Sequence, residues 1–118
     1  MRLRELQEVV QAELLCGVGA LDESVRTCFA ADLMSDVLAF SGSDALLVTG
    51  LATVQSVHAA DVADCLGILL VSGKRPSPDA LHLGQSKHML ILSTAMSMFE
   101  TCGVLSRHGL LPSHKERG

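Results

Sequence analysis

Three apolar runs of this chain stop on small hydroxyl residues: "ALLVTG" at Thr49-Gly50, "GILLVSG" at Ser72-Gly73 and "MLILST" at Ser93-Thr94. If the runs are parallel strands, their carboxyl ends gather loops and helix N-termini, whose unpaired amides suit an anion or a small polar ligand. Lys74 and Arg75 follow the second run directly and are the best placed cations. The candidate ligand-binding set is therefore Thr49, Gly50, Ser72, Gly73, Lys74, Arg75 and Thr94. A plainer account fits the same residues: Ser and Thr cap the following helices, glycine makes the turns, and Lys74-Arg75 is a solvated loop pair.

Nucleotide chemistry of the familiar kinds is not encoded. A Walker A loop needs G-x-x-x-x-G-K-[ST], whose glycines let amides wrap the phosphates and whose hydroxyl holds magnesium. "SGKRP" has Ile68 where the first glycine belongs and Arg75 in place of the hydroxyl. The dinucleotide pattern G-x-G-x-x-G also fails, because Gly50 is followed by "LATVQ". His58 and Asp61, three apart on a helical segment, could share a proton or a metal, but no third ligand and no nucleophile accompany them. His82 and His88 flank a helix and read as surface or helix-end residues. Cys16, Cys28, Cys65 and Cys102 are scattered without C-x-x-C or paired His spacing, so they read as reduced small hydrophobes. No catalytic group, metal site or cofactor is expected.

The elements that must position the strand ends follow from patterning. The three runs recur about every 22 residues with a helix-length segment between them. Each is apolar at consecutive positions, as in a strand covered on both faces, and parallel strands joined by helices are covered that way. The fold class expected is three-layer α/β with a mostly parallel central sheet and a βαβαβ core in the C-terminal two-thirds. Residues 3–13 carry helical periodicity, and residues 14–17 and 24–30 are strand-like. "MSDVLAF" forms a short helix capped by Asp32 or Ser35. Ser77 caps the helix that begins at Pro78, and a last helix ends by Gly109. One domain over residues 1–111 is expected, followed by a frayed tail at 112–118.

Composition narrows the function further. The 118 residues carry a net charge of -4, which disfavours a nucleic-acid surface, and no apolar run reaches the ~20 residues of a bilayer span. "MRLRELQEVV" lacks the apolar stretch of a signal peptide, so the protein is expected in the cytoplasm. Only Phe29, Phe40 and Phe99 are aromatic, leaving an aliphatic core. A mean hydropathy of +0.38 in so small a chain favours self-association. Met89, Ile91, Met96, Met98 and Phe99 form an apolar stripe that reads as core, or in part as an oligomer contact.

Four strings then join these elements: "LQEVVQAELLCG", "AADLMSDVLAF", "LLVTGLATVQSVHAADVADCLGILLVSGKRP" and "LILSTAMSMFETCGVL". Together they resemble the DRTGG domain over nearly the whole chain, above all in "DLMSDVL", Thr49-Gly50, "VSGKRP" and the Ser-Thr pair before the Met-Phe-Glu helix. The resemblance implies a fold similar to the N-terminal domain of bacterial HPr kinase/phosphorylase. It also implies a regulatory or dimer-forming role of the kind such domains have beside CBS domains in regulated pyrophosphatases. The literal Asp-Arg-Thr-Gly-Gly string is absent, so no functional residue transfers through it, and without a P-loop no kinase activity transfers either. The expected function is a non-catalytic regulatory or assembly module that homodimerises and acts on a partner enzyme in trans. The alternative is a sensor of a small anion or nucleotide at the strand ends.

Overall fold

The computed structural model describes residues 1–115. In chain order the elements are α1 (Leu3–Val9), β1 (Glu13–Cys16), β2 (Thr27–Ala30), α2 (Met34–Phe40), β3 (Leu46–Thr49), α3 (Val54–Val62), β4 (Gly67–Leu70), α4 (Pro78–Ser86), β5 (Leu90–Ser93), α5 (Met98–Arg107) and β6 (Leu111–Pro112). A 3-10 turn at Val18–Ala20 lies between β1 and β2.

The three apolar runs are β3, β4 and β5, and every residue in them is buried. They sit at the centre of one sheet ordered β1-β5-β4-β3-β2-β6. All neighbours pair in parallel except β1, which runs antiparallel to β5 and bulges at Leu15 between Leu14 and Cys16. This is the mostly parallel α/β sheet expected, and helices cover both of its faces. Alternation along the strands sorts the core accordingly. Leu47, Ile68, Leu70 and Ile91 meet Met34 and Val37 of α2, Val57 and Ala60 of α3 and Ala80 of α4. On the other face Leu46, Val48, Leu69 and Leu92 meet Leu3 and Leu6 of α1 and Leu105 of α5. Each fully buried leucine contributes about 1.5–3 kcal/mol relative to leaving it in water, which is how seven-residue helices with little intrinsic stability are held.

Local chemistry sets the boundaries. Pro78 stands at the first position of α4, and the Ser77 hydroxyl accepts the Ala80 amide, as the sequence predicts. Gly84 lets α4 lie against the sheet, because a Cβ there would come 2.6 Å from Ile91 Cδ1. Helix α1 is shorter than the 3–13 predicted: Gln11 takes φ 53° and swings the chain into β1. Helix α2 starts where predicted but not with the predicted cap. Leu33 is its N-cap residue, no side chain caps the first turn, and Asp32 is drawn to another partner described below.

Residues 112–118, expected to fray, divide into two parts. As far as Lys115 they are held: the Leu111 amide donates to Arg26 O and the Ser113 amide to Cys28 O, giving a sixth strand beside β2. The Ser113 hydroxyl then accepts the Gly42 amide at 3.0 Å, and Lys115 donates its amide to Phe40 O and its Nζ to Leu38 O at the end of α2. Residues 116–118 of that tail lie outside the described residues.

Candidate functional site at the strand ends

At the end of β3, Thr49 is fully buried and its hydroxyl donates to Asp32 Oδ1 at 3.1 Å. The Gly50 amide donates to the same oxygen at 2.7 Å, and the Leu51 amide donates back to Thr49 Oγ1 at 3.1 Å. The carboxylate of Asp32, on the loop between β2 and α2, thus occupies the position in which an external anion would meet Thr49 and Gly50.

After β4 the chain makes a tight turn from Val71 to Lys74, with Ser72 at φ 57° and Gly73 at φ 67° and the Lys74 amide donating to Val71 O at 3.1 Å. Positive φ at both central positions is the type I′ pattern, easy for glycine and uncommon for serine. The Ser72 and Gly73 amides donate to Met96 O at 2.7 Å and Thr94 O at 2.8 Å, so both are spent on the loop that follows β5. The Ser93 hydroxyl at the end of β5 donates to Lys74 O, and the buried Thr94 hydroxyl donates to Val10 O at the end of α1, each at 2.7 Å.

Arg75 turns away toward β1, where its Nη1 meets Glu13 Oε2 at 2.7 Å. That hydrogen bond and the adjacent guanidinium charge hold the Glu13 carboxyl below the usual glutamate range. Lys74 is exposed and takes part in no ion pair among the described residues. The seven predicted residues therefore fall into three settings: Thr49 and Gly50 around Asp32; Ser72, Gly73 and Thr94 locked together across β4 and β5, with Lys74 at their rim; and Arg75 paired with Glu13. Helices α4 and α5 start with their own caps, α5 through reciprocal bonds between Ser97 and Glu100. Helix α3 starts at Thr53 with no side-chain cap and no acidic residue in its first turn.

No protein-family model and no curated protein matches the sequence. A solved structure matches in fold: the CBS and DRTGG domains of the regulatory region of a Clostridium perfringens pyrophosphatase, complexed with activator, diadenosine tetraphosphate. The superposition has a TM-score of 0.74 at 14% identity and covers 94% of this chain. This chain has a DRTGG-like fold. It spans about half of the chain it matches, 47% of that length.

Elsewhere in this DRTGG-like chain the other candidates stay apart. Asp61 pairs with Lys87 Nζ at 3.3 Å on the outside of α3 and α4, and His58 on the same helix is exposed. His82 and His88 are exposed along and just after α4. Among the described residues no three His, Cys, Asp or Glu side chains form a group that could hold a metal ion, and no helix is long and apolar enough to cross a membrane. All four cysteines are free. Burial, and secondarily the neighbouring Cys102, pushes the Cys28 thiol up to about 12. The stripe from Met89 to Phe99 splits: Met89 and Ile91 are core, Met96 and Met98 are half-buried, and Phe99 is 88% exposed. Sequence reasoning missed Asp32 and Glu13 as partners of the strand ends, because neither has a local signal that points so far along the chain.

Proposed function

We propose that this chain is a non-catalytic regulatory or assembly module, cytoplasmic, which homodimerises and acts on a partner enzyme in trans. The observation that carries this reading is the state of the strand ends. The hydroxyls of Thr49, Ser93 and Thr94 and the amides of Gly50, Ser72 and Gly73 are all spent on groups of the chain itself. A site for chemistry would need such groups aimed at a substrate. Large apolar side chains on the outside, Phe99 first among them, supply what association needs. The likeness to part of a pyrophosphatase regulatory region supports the regulatory half of the reading. Light scattering at micromolar concentration tests it: the expected mass is twice 12.5 kDa, and a strict monomer overturns the homodimer.

A second reading has one specific observation in its favour. Lys74 is unpaired among the described residues and sits at the same end of the sheet as the uncapped start of α3, so a small anion or a nucleotide phosphate has a cation and free amides within the strand-end face. Thr49, Gly50, Ser72, Gly73, Lys74, Arg75 and Thr94 are its proposed lining. A thermal-shift screen with nucleotides, pyrophosphate and phosphate tests it. Ligand at about 100 times its dissociation constant stabilises the fold by roughly 2.7 kcal/mol, a shift of several degrees. A shift that persists in Lys74→Ala and Thr49→Val would place the ligand elsewhere.

A further inference from the structure

Helix α5 has one face that its own fold leaves unused. At 3.6 residues per turn, Phe99, Cys102, Gly103 and Ser106 fall on one stripe, while Thr101 and Leu105 point into the core and Glu100 and Arg107 flank the stripe. Beside that stripe β2 presents only the small side chains of Cys28 and Ala30. The result is a groove of about 260 Å³ between α5 and the β2–β6 margin. Cys28, Ala30, Cys102, Ser106, Leu110 and Leu111 are among its walls, and among the described residues no charged side chain lines it.

Two features of the stripe have no purpose within one protomer. Phe99 stands 88% exposed in the first turn of α5, one turn before Cys102 in the wall of a groove that no side chain among the described residues fills. Gly103 sits mid-helix, where glycine is less stable than alanine, yet a Cβ there would meet nothing closer than the flexible Arg107 Nη1 at 3.7 Å. Gly84 shows the contrasting case, in which a Cβ would force the Ile91 side chain of β5 to shift.

We propose that two copies of this chain associate through α5, with Phe99 of each inserted into the groove of the other. This rests on the homodimer reading above and names its surface. With a twofold axis at Gly103, antiparallel helices set Phe99 of one level with Arg107 of its mate, about 6 Å from the crossing, where Ser106, Leu110 and Leu111 open the groove. Glycine at the crossing lets the two backbones approach. A cavity of roughly 150 Å³ holds benzene, so the groove has room for the ring. The guanidinium of Arg107, already folded back over Gly103, flanks the incoming ring as a cation beside an aromatic. A second copy is the fitting occupant because knob and hole lie on one surface, as an isologous contact requires. Among the described residues the groove has no carboxylate to repel its twin, although the chain carries a net charge of -4.

Sedimentation equilibrium of the full chain, of Phe99→Asp, of Gly103→Leu and of the control Phe40→Asp tests the surface. The expected result is a wild-type dimer whose dissociation constant rises at least 100-fold in the first two variants and is unchanged in the third. A dimer indifferent to Phe99→Asp and Gly103→Leu overturns this surface and leaves the homodimer standing, whereas a wild-type monomer overturns both. Crosslinking of the unaltered chain does not depend on how the variants fold. A short bismaleimide should join two chains through Cys102 and lose that product in Cys102→Ala; a dimer not joined through Cys102 overturns the proposal.

Discussion

Asp32 Oδ1 accepts the Gly50 amide at 2.7 Å across 18 residues of sequence and bonds the buried Thr49 hydroxyl with the same oxygen. The chain thus supplies its own carboxylate to the strand end that looks most suited to a foreign anion. Asp32→Ala should lower stability by about 1–2 kcal/mol, several degrees in thermal midpoint followed by circular dichroism, and Asp32→Asn less, since an amide oxygen can still accept. If the strand ends also bind anions, Asp32→Ala tightens that binding by freeing the Gly50 amide. An unchanged midpoint in the alanine variant would show that the carboxylate does not hold the loop.

Cys28 makes the fold sensitive to base. Below its ordinary value of 9.0 the thiol is protonated in both the folded and the unfolded chain. Between that value and about 12 only the unfolded chain ionises, so the unfolded state gains and stability falls as pH rises, by at most about 1.4 kcal/mol per pH unit from this one group. Urea midpoints measured at several values between pH 8 and pH 11 should decline, and the decline should be shallower in Cys28→Ala.

Two glycines in helices should respond in opposite directions. Gly84→Ala drives a Cβ to 2.6 Å from Ile91 Cδ1 and should destabilise by about 1–3 kcal/mol, the usual penalty of overpacking. Gly103→Ala meets only the Arg107 guanidinium, at an ordinary contact distance of 3.7 Å, and should add about 0.5–1 kcal/mol to the stability of a single protomer. Chemical denaturation at low protein concentration separates the two.

As far as Lys115 the C-terminal segment is bonded into the fold. Ser113→Ala removes the acceptor of the Gly42 amide and should cost about 1 kcal/mol. Deleting residues 111–118 strips β6 from β2 and should lower the thermal midpoint further and promote aggregation through the bared strand. A truncated chain as stable and as soluble as the full one would show the strand to be dispensable.

The central sheet was legible because β3, β4 and β5 are buried on both faces, and such strands can only be written as unbroken apolar runs. The Ser77-Pro78 start of α4 was legible because capping is local. Strand β6 was not, since Leu111-Pro112 is two residues long and its proline reads as a terminator. Asp32 read as a helix cap because its true partner is Gly50, which no periodicity connects to it. The Arg75 and Glu13 pair spans 62 residues and was equally hidden. Phe99 continued an apolar stripe that read as core, or in part as an oligomer contact, and the cap at Ser97 fixes where α5 begins and so turns Phe99 outward.

The two margins of the sheet carry a consequence for assembly at high concentration. Leu111 and Ser113 turn their amides inward to β2, so the residue facing outward is Pro112, which has no N–H to give. At the opposite margin the bulge at Leu15 breaks the even spacing that an incoming strand would need. Among the described residues both rims are poor templates for another chain in register, which disfavours growth by endless strand addition, the route to fibres. An association that avoids strand addition falls to the helices and loops, and a twofold contact made there closes on itself and stops at a finite number of copies.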